Sequence, residues 1–194
     1  MAIAHRRRRS PVGQAMSLEQ FLELPERKPY LEYEDGVVTQ KVSPKGKHSR
    51  LQWVLSSFIN RLTEPTKLAL AFPELRTRFG GRSVVPDVAV YRWGKIPRGP
   101  DGEVANDFTT PPDVAIEILS PRQNVTRLVA RCVWYVADGV QAALLVDEKD
   151  RIVLAFRPDR PPLALRGGDR IPLGDLLPGL DLTVRQVFDT LKLD

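Results

Sequence analysis

Two acidic residues stand where buried strands ordinarily hold only apolar side chains. Asp87 lies in the run Ser-Val-Val-Pro-Asp-Val-Ala-Val-Tyr, and Glu117 lies in Pro-Pro-Asp-Val-Ala-Ile-Glu-Ile-Leu-Ser-Pro. Burying a carboxylate is costly unless a cation or hydrogen-bond donors compensate its charge. The two acids therefore need such a partner, unless both point to solvent from the polar faces of their strands.

A third acid, Glu32, lies earlier in the chain, in the segment Tyr-Leu-Glu-Tyr-Glu that begins at Tyr30. Hard cations such as Mg²⁺ and Mn²⁺ prefer carboxylate, carbonyl and water oxygens. Three acids converging from separate strands would suit such an ion. The residue types alone leave both the metal site and the solvent-facing arrangement open.

The elements that must position these acids follow from turn signals and periodicity. Asp35-Gly36 between two alternating segments predicts a β-hairpin that carries Glu32. The strands predicted for Asp87 and Glu117 are separated by a Gly- and Pro-rich loop over 94–112, which is either functional or simply mobile. After the strand 113–119, a helix over 124–137 and an apolar strand over 140–146 predict a crossover with one parallel strand pair.

Other segments carry helix caps or strand patterns. In the helix over 124–137, the predicted buried face consists of Val125, Leu128, Val129, Cys132, Val133 and Val136. The remaining predicted elements are a short helix capped by Ser17, a long helix over 47–62, strands over 67–72, 75–79 and 151–156, a short irregular hairpin within 158–182, and a helix over 184–191 capped by Thr183.

Composition narrows the class of protein. The 194 residues, 42% of them hydrophobic, are enough for one core, and we predict a single domain over 17–194. No apolar run reaches the roughly 20 residues that span a bilayer, which indicates a soluble, cytoplasmic protein. The single cysteine, Cys132, provides neither a disulfide framework nor zinc-ligand spacing, so we interpret it as a buried structural thiol.

The formal charge of +5 comes mostly from Arg6, Arg7, Arg8 and Arg9, and removing them leaves +1 for residues 17–194. We predict that residues 1–16 form a basic, mobile tail. An arginine run of this kind either grips phosphates or is a solvated terminus with no specific partner. The near-neutral remainder does not by itself indicate a nucleic-acid-binding protein.

An ordered set of short motifs resembles the Uma2-like endonucleases of bacteria, a branch of the PD-(D/E)xK restriction-endonuclease-like superfamily. No single motif is specific, but together they span roughly residues 17–157. They are Tyr30-Leu-Glu-Tyr-Glu-Asp-Gly, the His48 segment, Val85-Pro-Asp-Val-Ala-Val, Pro112-Asp-Val-Ala-Ile-Glu-Ile-Leu-Ser-Pro, Tyr135-Val-Ala-Asp-Gly-Val and Leu144-Leu-Val-Asp.

The resemblance implies an α/β fold in which a mixed central sheet is flanked by helices. It assigns Asp87, Glu117 and the Ile118 carbonyl to a Mg²⁺ or Mn²⁺ site, with Glu32 as the early acid of the catalytic set. The implied reaction is metal-dependent hydrolysis of DNA phosphodiester bonds. Because nucleases that cut both strands commonly act as dimers, a homodimer is possible.

The chain departs from this pattern at its basic residues. The superfamily has a lysine two residues after the second acid, where this chain has Leu119, and Uma2-like relatives typically carry it on the next helix, where this chain has Arg131. An arginine cannot give up its proton, so it can act only by binding or by stabilising negative charge. The substitution weakens the case for turnover but not for the metal site. It leaves open an alternative function, a catalytically impaired or inactive nuclease fold that binds nucleic acid or a protein partner.

Two further residues complete the candidate nucleic-acid contacts. Arg127 lies one helical turn before Arg131, so the pair either holds a phosphate or balances the charge of Glu32 or Glu117. His48 either orients a water or contacts a phosphate, or it is simply exposed to solvent.

Overall fold

The computed structural model describes residues 10–121 and 123–193. The helices among them are α1 (Leu18–Leu22), α2 (Gly46–Thr63), α3 (Val125–Ala137) and α4 (Val184–Asp189). The strands are β1 (Leu31–Glu34), β2 (Val37–Gln40), β3 (Ala69–Pro73), β4 (Thr77–Phe79), β5 (Arg82–Val84), β6 (Val88–Arg92), β7 (Val114–Leu119), β8 (Ala142–Asp147), β9 (Ile152–Arg157) and β10 (Arg160–Arg166).

These strands form two sheets. The larger sheet has the order β10-β9-β8-β7-β6-β3, and β7 and β8 are its parallel pair, joined by α3. The smaller sheet has the order β2-β1-β5-β4 and is antiparallel. The predicted α/β fold with a mixed sheet and a crossover is confirmed, and the separate four-stranded sheet is a feature that the sequence patterns did not predict.

Helices cover both faces of the larger sheet. The helices α2 and α4 cover one face. There, Leu51, Leu55 and Ile59 of α2 pack in one cluster with Ile116 and Ile118 of β7. On the opposite face, α3 packs against a second cluster of side chains that includes Ala115 and Leu119. Because side chains alternate along a strand, Glu117 faces α3.

Asp87 lies outside the strand in which we predicted it. The chain leaves β5 at Val84 and enters β6 at Val88, so Asp87 lies in the break where the backbone passes from the smaller sheet to the larger one. Pro86 explains part of the error, since proline cannot donate a hydrogen bond to a strand partner. Glu117 does lie within its strand, and β6 and β7 are antiparallel neighbours, with Val88 opposite Ile116.

The predicted buried face of α3 was partly wrong. Val125 and Val133 are about half exposed, and the buried residues of the helix are Leu128, Arg131, Cys132 and Tyr135. The helix is rotated so that Arg131 and Tyr135 face the interior, where they contact acids of both sheets. The apolar pattern could not show this because it treats every charge as solvent-facing.

The hairpin predicted within 158–182 lies nearer the N-terminus than we expected. It consists of β9 and β10, which pair with each other, and residues 167–182 are mainly turns. The long connection over 94–112 is confirmed as a loop. A short 3₁₀ turn, Trp93–Lys95, forms its beginning, and Phe108 packs into the interior. No helix in the described part of the chain is long and apolar enough to cross a membrane.

The first part of the chain is described from residue 10 onward. Gly13 and Met16 donate backbone hydrogen bonds to the β2 side of the hairpin, and Gln14 accepts one from Val38. Arg6, Arg7, Arg8 and Arg9, on which the prediction of a basic tail rests, lie outside the described residues.

Candidate active site

The β1–β2 hairpin brings an acid and a lysine to one side of the smaller sheet. Its turn is Asp35-Gly36, both with positive φ, and its register places Glu32 opposite Thr39. Opposite residues share a face and alternate residues return to it, so Lys41, two residues after Thr39, lies on the same side as Glu32. The side chain of Lys41 is only 9% exposed.

Asp87 is surrounded by donors from three other elements. Its Oδ1 accepts a hydrogen bond from Lys41 Nζ at 2.6 Å and lies 3.2 Å from Nε2 of His48. Its Oδ2 accepts the backbone N–H of Ile118 at 2.7 Å. Burial opposes the charged carboxylate, but the Lys41 ammonium and His48 outweigh it and lower the pKa of Asp87 to about 2. Asp87 is therefore ionised throughout the physiological range.

His48 is buried rather than exposed, and α2 fixes its position. Its Nδ1 lies 2.8 Å from Ser120 Oγ, so the imidazole bridges Ser120 and Asp87. One helical turn later, Gln52 donates from Nε2 to the Asp87 backbone carbonyl at 2.8 Å. Two consecutive turns of α2 thus hold both the side chain and the backbone of Asp87.

Arg131 is a buried cation enclosed by acids. Its guanidinium donates to both carboxylate oxygens of Glu32, at 3.1 and 2.7 Å, and also to Glu34. Its Nη1 lies 3.5 Å from Glu117 Oε1. Arg127 lies at the exposed end of this group and donates to Glu34 at 3.0 Å. Arg131 therefore links the acid of the smaller sheet to that of the larger one.

Glu117 is the least compensated acid of the cluster. Its Oε1 accepts the Tyr135 hydroxyl at 2.7 Å, and its side chain is only 3% exposed. Burial raises the pKa of Glu117 to about 7, with nearby Asp87 and Glu32 adding to the rise while Arg131 and Lys41 oppose it. Burial likewise raises the pKa of Tyr135, reinforced by Glu117, so the phenol remains a hydrogen-bond donor.

The structure brings together most of the residues selected from the sequence. Glu32, Asp87, Glu117, Arg131 and His48 are all buried. Glu32 and Glu117 share Arg131, whereas Asp87 contacts Lys41 and His48. Val85 joins the two groups, because its N–H donates to Glu32 and its carbonyl accepts from Lys41. Arg127 lies at the rim with its side chain 51% exposed. Ile118 contributes its N–H to Asp87, whereas the metal site predicted from the sequence would use its carbonyl.

Sequence reasoning missed Lys41 and Tyr135. The hairpin register set by Asp35-Gly36 was a sufficient signal for Lys41, because alternation from Glu32 through Thr39 leads directly to it. The signal for Tyr135 was its spacing of four residues from Arg131, which puts both on one side of α3. Ser120 gave no comparable signal, since its contact with His48 depends on tertiary packing.

The donor set is of the kind that a hard divalent cation uses. Asp87 and Glu117 offer carboxylate oxygens, and burial, reinforced by the nearby acids Asp87 and Glu32, raises the pKa of Glu117 to about 7. Within residues 10–121 and 123–193, no three acid, imidazole or thiol groups are close enough together to hold a metal ion. Lys41 and Arg131 lie among these acids and are their present cationic partners.

Comparisons with known proteins agree with the fold. Residues 18–185 match a family model described as "Uma2: Putative restriction endonuclease". A crystal structure from Anabaena variabilis, described as "a putative nuclease belonging to DUF820", is 37% identical and superposes with a TM-score of 0.88, covering 91% of this chain and 99% of the other. A search of curated proteins finds no match.

Proposed function

Because this chain belongs to the Uma2 family, we propose that it is a divalent-metal-dependent endonuclease that hydrolyses DNA phosphodiester bonds at the cluster of Glu32, Asp87 and Glu117. One observation carries the proposal: acids from the hairpin, the inter-sheet break and β7 are buried together, with Glu32 and Glu117 on one arginine and Asp87 connected to them through Lys41 and Val85. The solved structure from Anabaena variabilis, itself described as "a putative nuclease", has the same overall fold.

In this proposal Asp87, Glu117 and the Ile118 carbonyl would hold Mg²⁺ or Mn²⁺. The bound ion would polarise the phosphodiester, lower the pKa of a water and stabilise charge on the leaving oxygen. His48 and Gln52 keep Asp87 oriented through its side chain and its backbone, respectively. Arg131 holds Glu32 and Glu117 beside each other and cannot serve as a base, since a guanidinium keeps its proton.

Arg127 is the site cation best placed to meet a DNA backbone. Half of its side chain is exposed, and its one ion-pair partner among the described residues, Glu34, is also held by Arg131. Contact with a phosphate would therefore not leave Glu34 without a cation. This role gives Arg127 a share in DNA affinity but none in the chemical step.

A second function, nucleic-acid binding without turnover, is favoured by the pairing within the site. Lys41 and Arg131 already neutralise much of the acidic charge that a metal would otherwise meet. In this alternative Arg127 still contacts phosphate, and the acids serve only to hold the fold together. The two functions share a DNA-binding surface and differ in whether a phosphodiester is cleaved.

Plasmid nicking with Mg²⁺ or Mn²⁺ tests the proposal. We expect wild-type protein to convert supercoiled DNA to the nicked form, and Asp87→Asn and Glu117→Gln to slow this by about 100-fold or more, because the charge stabilisation lost is worth several kcal/mol. Asp181→Asn is the matched control, since Asp181 is an exposed acid paired with Arg170. Nicking that survives both site substitutions would show that the activity lies elsewhere.

Binding of labelled DNA, measured by fluorescence anisotropy, separates the second function from the first. DNA binding that weakens in Arg127→Ala, combined with no nicking by wild-type protein, would establish the non-catalytic alternative. If wild-type protein neither binds nor nicks DNA, both functions are excluded.

A further inference from the structure

We propose that Lys41 is an exchangeable cation of this site: it neutralises Asp87 while no metal is bound, and it moves to a non-bridging oxygen of the scissile phosphate when a divalent ion binds at Asp87. The inference rests on the proposed function for the phosphate contact. Its first half, competition between Lys41 and a divalent ion for Asp87, can be measured without any cleavage.

The contacts of the Lys41 ammonium leave it capable of a further bond. Nζ donates to Asp87 Oδ1 at 2.6 Å and to the Val85 carbonyl at 2.7 Å. An ammonium group has three N–H donors, and these two acceptors are the ones that the described residues supply. The carbonyl of Val85 would keep the group near the site after the bond to Asp87 is broken.

Asp87 does not depend on Lys41 for its orientation. If the ammonium leaves, Oδ2 still accepts the Ile118 N–H, and His48 Nε2 still lies beside Oδ1. The backbone carbonyl of the same residue remains bonded to Gln52. Removal of Lys41 would therefore expose one lone-pair region of a carboxylate that is already fixed in place.

Arg131 cannot make the same exchange. Its guanidinium is shared by three acids, Glu32, Glu34 and Glu117. Withdrawing it would leave buried acids without a cation, which is strongly unfavourable. A lysine, in contrast, is a compact charge on a flexible stem with freely rotating donors.

Electrostatics gives the direction of the movement. An ammonium held 2.6 Å from Oδ1 occupies the position where that oxygen would bind a metal, and like charges at such distances repel strongly in a poorly solvated site. A divalent ion at Asp87 therefore displaces Lys41 from Oδ1. The phosphate of a bound substrate then becomes its anionic partner, and the contact stabilises charge that grows on the phosphate during hydrolysis.

The test compares Lys41→Gln with wild-type protein by calorimetric titration with Mn²⁺ alone and by plasmid nicking. We expect the variant to bind Mn²⁺ about tenfold or more tightly, because the competing charge is gone, and to nick DNA about 100-fold more slowly. A residue with a merely structural role would not tighten metal binding. Lys45→Gln is the matched control, since Lys45 is exposed and lies four residues further along the chain.

Lys41→Arg retains the positive charge beside Asp87, so it provides a second test of the proposal if Lys41→Gln does not fold. We expect it to bind Mn²⁺ as weakly as wild-type protein does. Unchanged or weaker Mn²⁺ binding by folded Lys41→Gln, or tighter binding by Lys41→Arg, would overturn the proposal. Tighter binding by Lys41→Gln in a protein that never nicks DNA would instead support the competition at Asp87 while refuting the nuclease function.

Discussion

Glu117 is the residue at which the charge balance of the site is least complete. Lys41 and His48 serve Asp87, whereas Arg131 serves Glu32 and Glu34 at shorter distances than Glu117. Its ionised form is accordingly destabilised by the fold, and burial is the largest cause of its raised pKa. This imbalance makes stability depend on pH near neutrality.

The pH dependence has a definite sign. The pKa of Glu117 rises from 4.5 to about 7 in the folded protein, so the folded state holds this proton more tightly than the unfolded state does. The stabilisation from protonated Glu117 is present below pH 4.5 and is lost as the pH rises through about 7. We expect Glu117→Gln, which is neutral at every pH, to be more stable relative to wild type at pH 8.5 than at pH 5. Urea denaturation at both pH values measures this, and an equal difference at the two would contradict the assigned pKa.

Arg131 provides a second prediction at this scale. Arg131→Met should lower the free energy of unfolding by about 3–5 kcal/mol, because it leaves buried carboxylates without their cation. Arg127→Met is the matched change on the same helix, and we expect it to cost no more than about 1 kcal/mol because Arg127 is half exposed. Similar losses for both variants in urea denaturation would show that burial does not set the contribution of Arg131.

Residue types, spacing and the family resemblance identified the acids and Arg131, but not the second buried cation, Lys41. Glu32, Asp87 and Glu117 were identified from strand patterns and a family resemblance, and the structure brings them together. Lys41 was overlooked because a charged residue in a hairpin is ordinarily assigned to solvent, and the hairpin register was not followed to its end. The buried positions of His48 and Arg131 depend on contacts between distant segments, which local patterns do not contain.

At the scale of elements, α3 is the part that completes the site. It carries Arg131 and Tyr135 over the face of β7 that holds Glu117. Its first turn is capped by Asn124, whose side chain accepts the Arg127 N–H at 3.2 Å. The cap therefore fixes the start of the helix on which the compensating groups depend.

Removing this cap should affect both the fold and the site. We expect Asn124→Ala to lower the free energy of unfolding by about 1 kcal/mol and to slow nicking as the start of α3 loosens. Ser17→Ala removes the corresponding cap of α1, which contributes nothing to the cluster, so we expect a similar loss of stability with unchanged nicking. Denaturation together with the nicking assay measures both effects. Equal nicking by the two variants would contradict the role given to α3.

Most elements were predictable from local signals, and the errors have physical causes. The hairpin at Asp35-Gly36, the long helix and the crossover through α3 each have strong signals of turn, period or cap. The break at Asp87 was missed because the strand pattern continues across Pro86, although the backbone changes sheets there. A pattern of apolar side chains indicates that a strand is buried, but it does not indicate to which sheet the strand belongs.

At the scale of the whole molecule, the β4–β5 turn anchors the smaller sheet to α3. Gly80 has a φ of +53°, and a Cβ there would lie 2.4 Å from Asp138 Oδ1 and 2.7 Å from its Cγ. Arg82 lies over Trp134 at 4.3 Å, and Phe79 stacks on the same ring. Close packing at this turn holds the sheet of Glu32 against the helix of Arg131.

This packing can be tested with two neighbouring glycines. Both Gly80→Ala and Gly81→Ala place a side chain at positive φ, at a cost of about 1–2 kcal/mol, but a Cβ at Gly81 meets nothing within 4 Å. We therefore expect Gly80→Ala to be the more destabilising by about 1–3 kcal/mol, because Asp138 must also move. Equal thermal stability of the two variants would show that the contact with α3 contributes little.

The division of the site along the chain has a consequence for protein synthesis. The loop over 94–112 separates the cluster into two groups. The earlier group comprises Glu32, Lys41, His48 and Asp87, and the later one comprises Glu117, Arg131 and Tyr135. A nascent chain that has emerged only as far as this loop contains Asp87 with its lysine, but it lacks the other acid and the arginine. If the protein is a nuclease, every incomplete translation product that stops before Glu117 is harmless to the DNA of the cell that makes it.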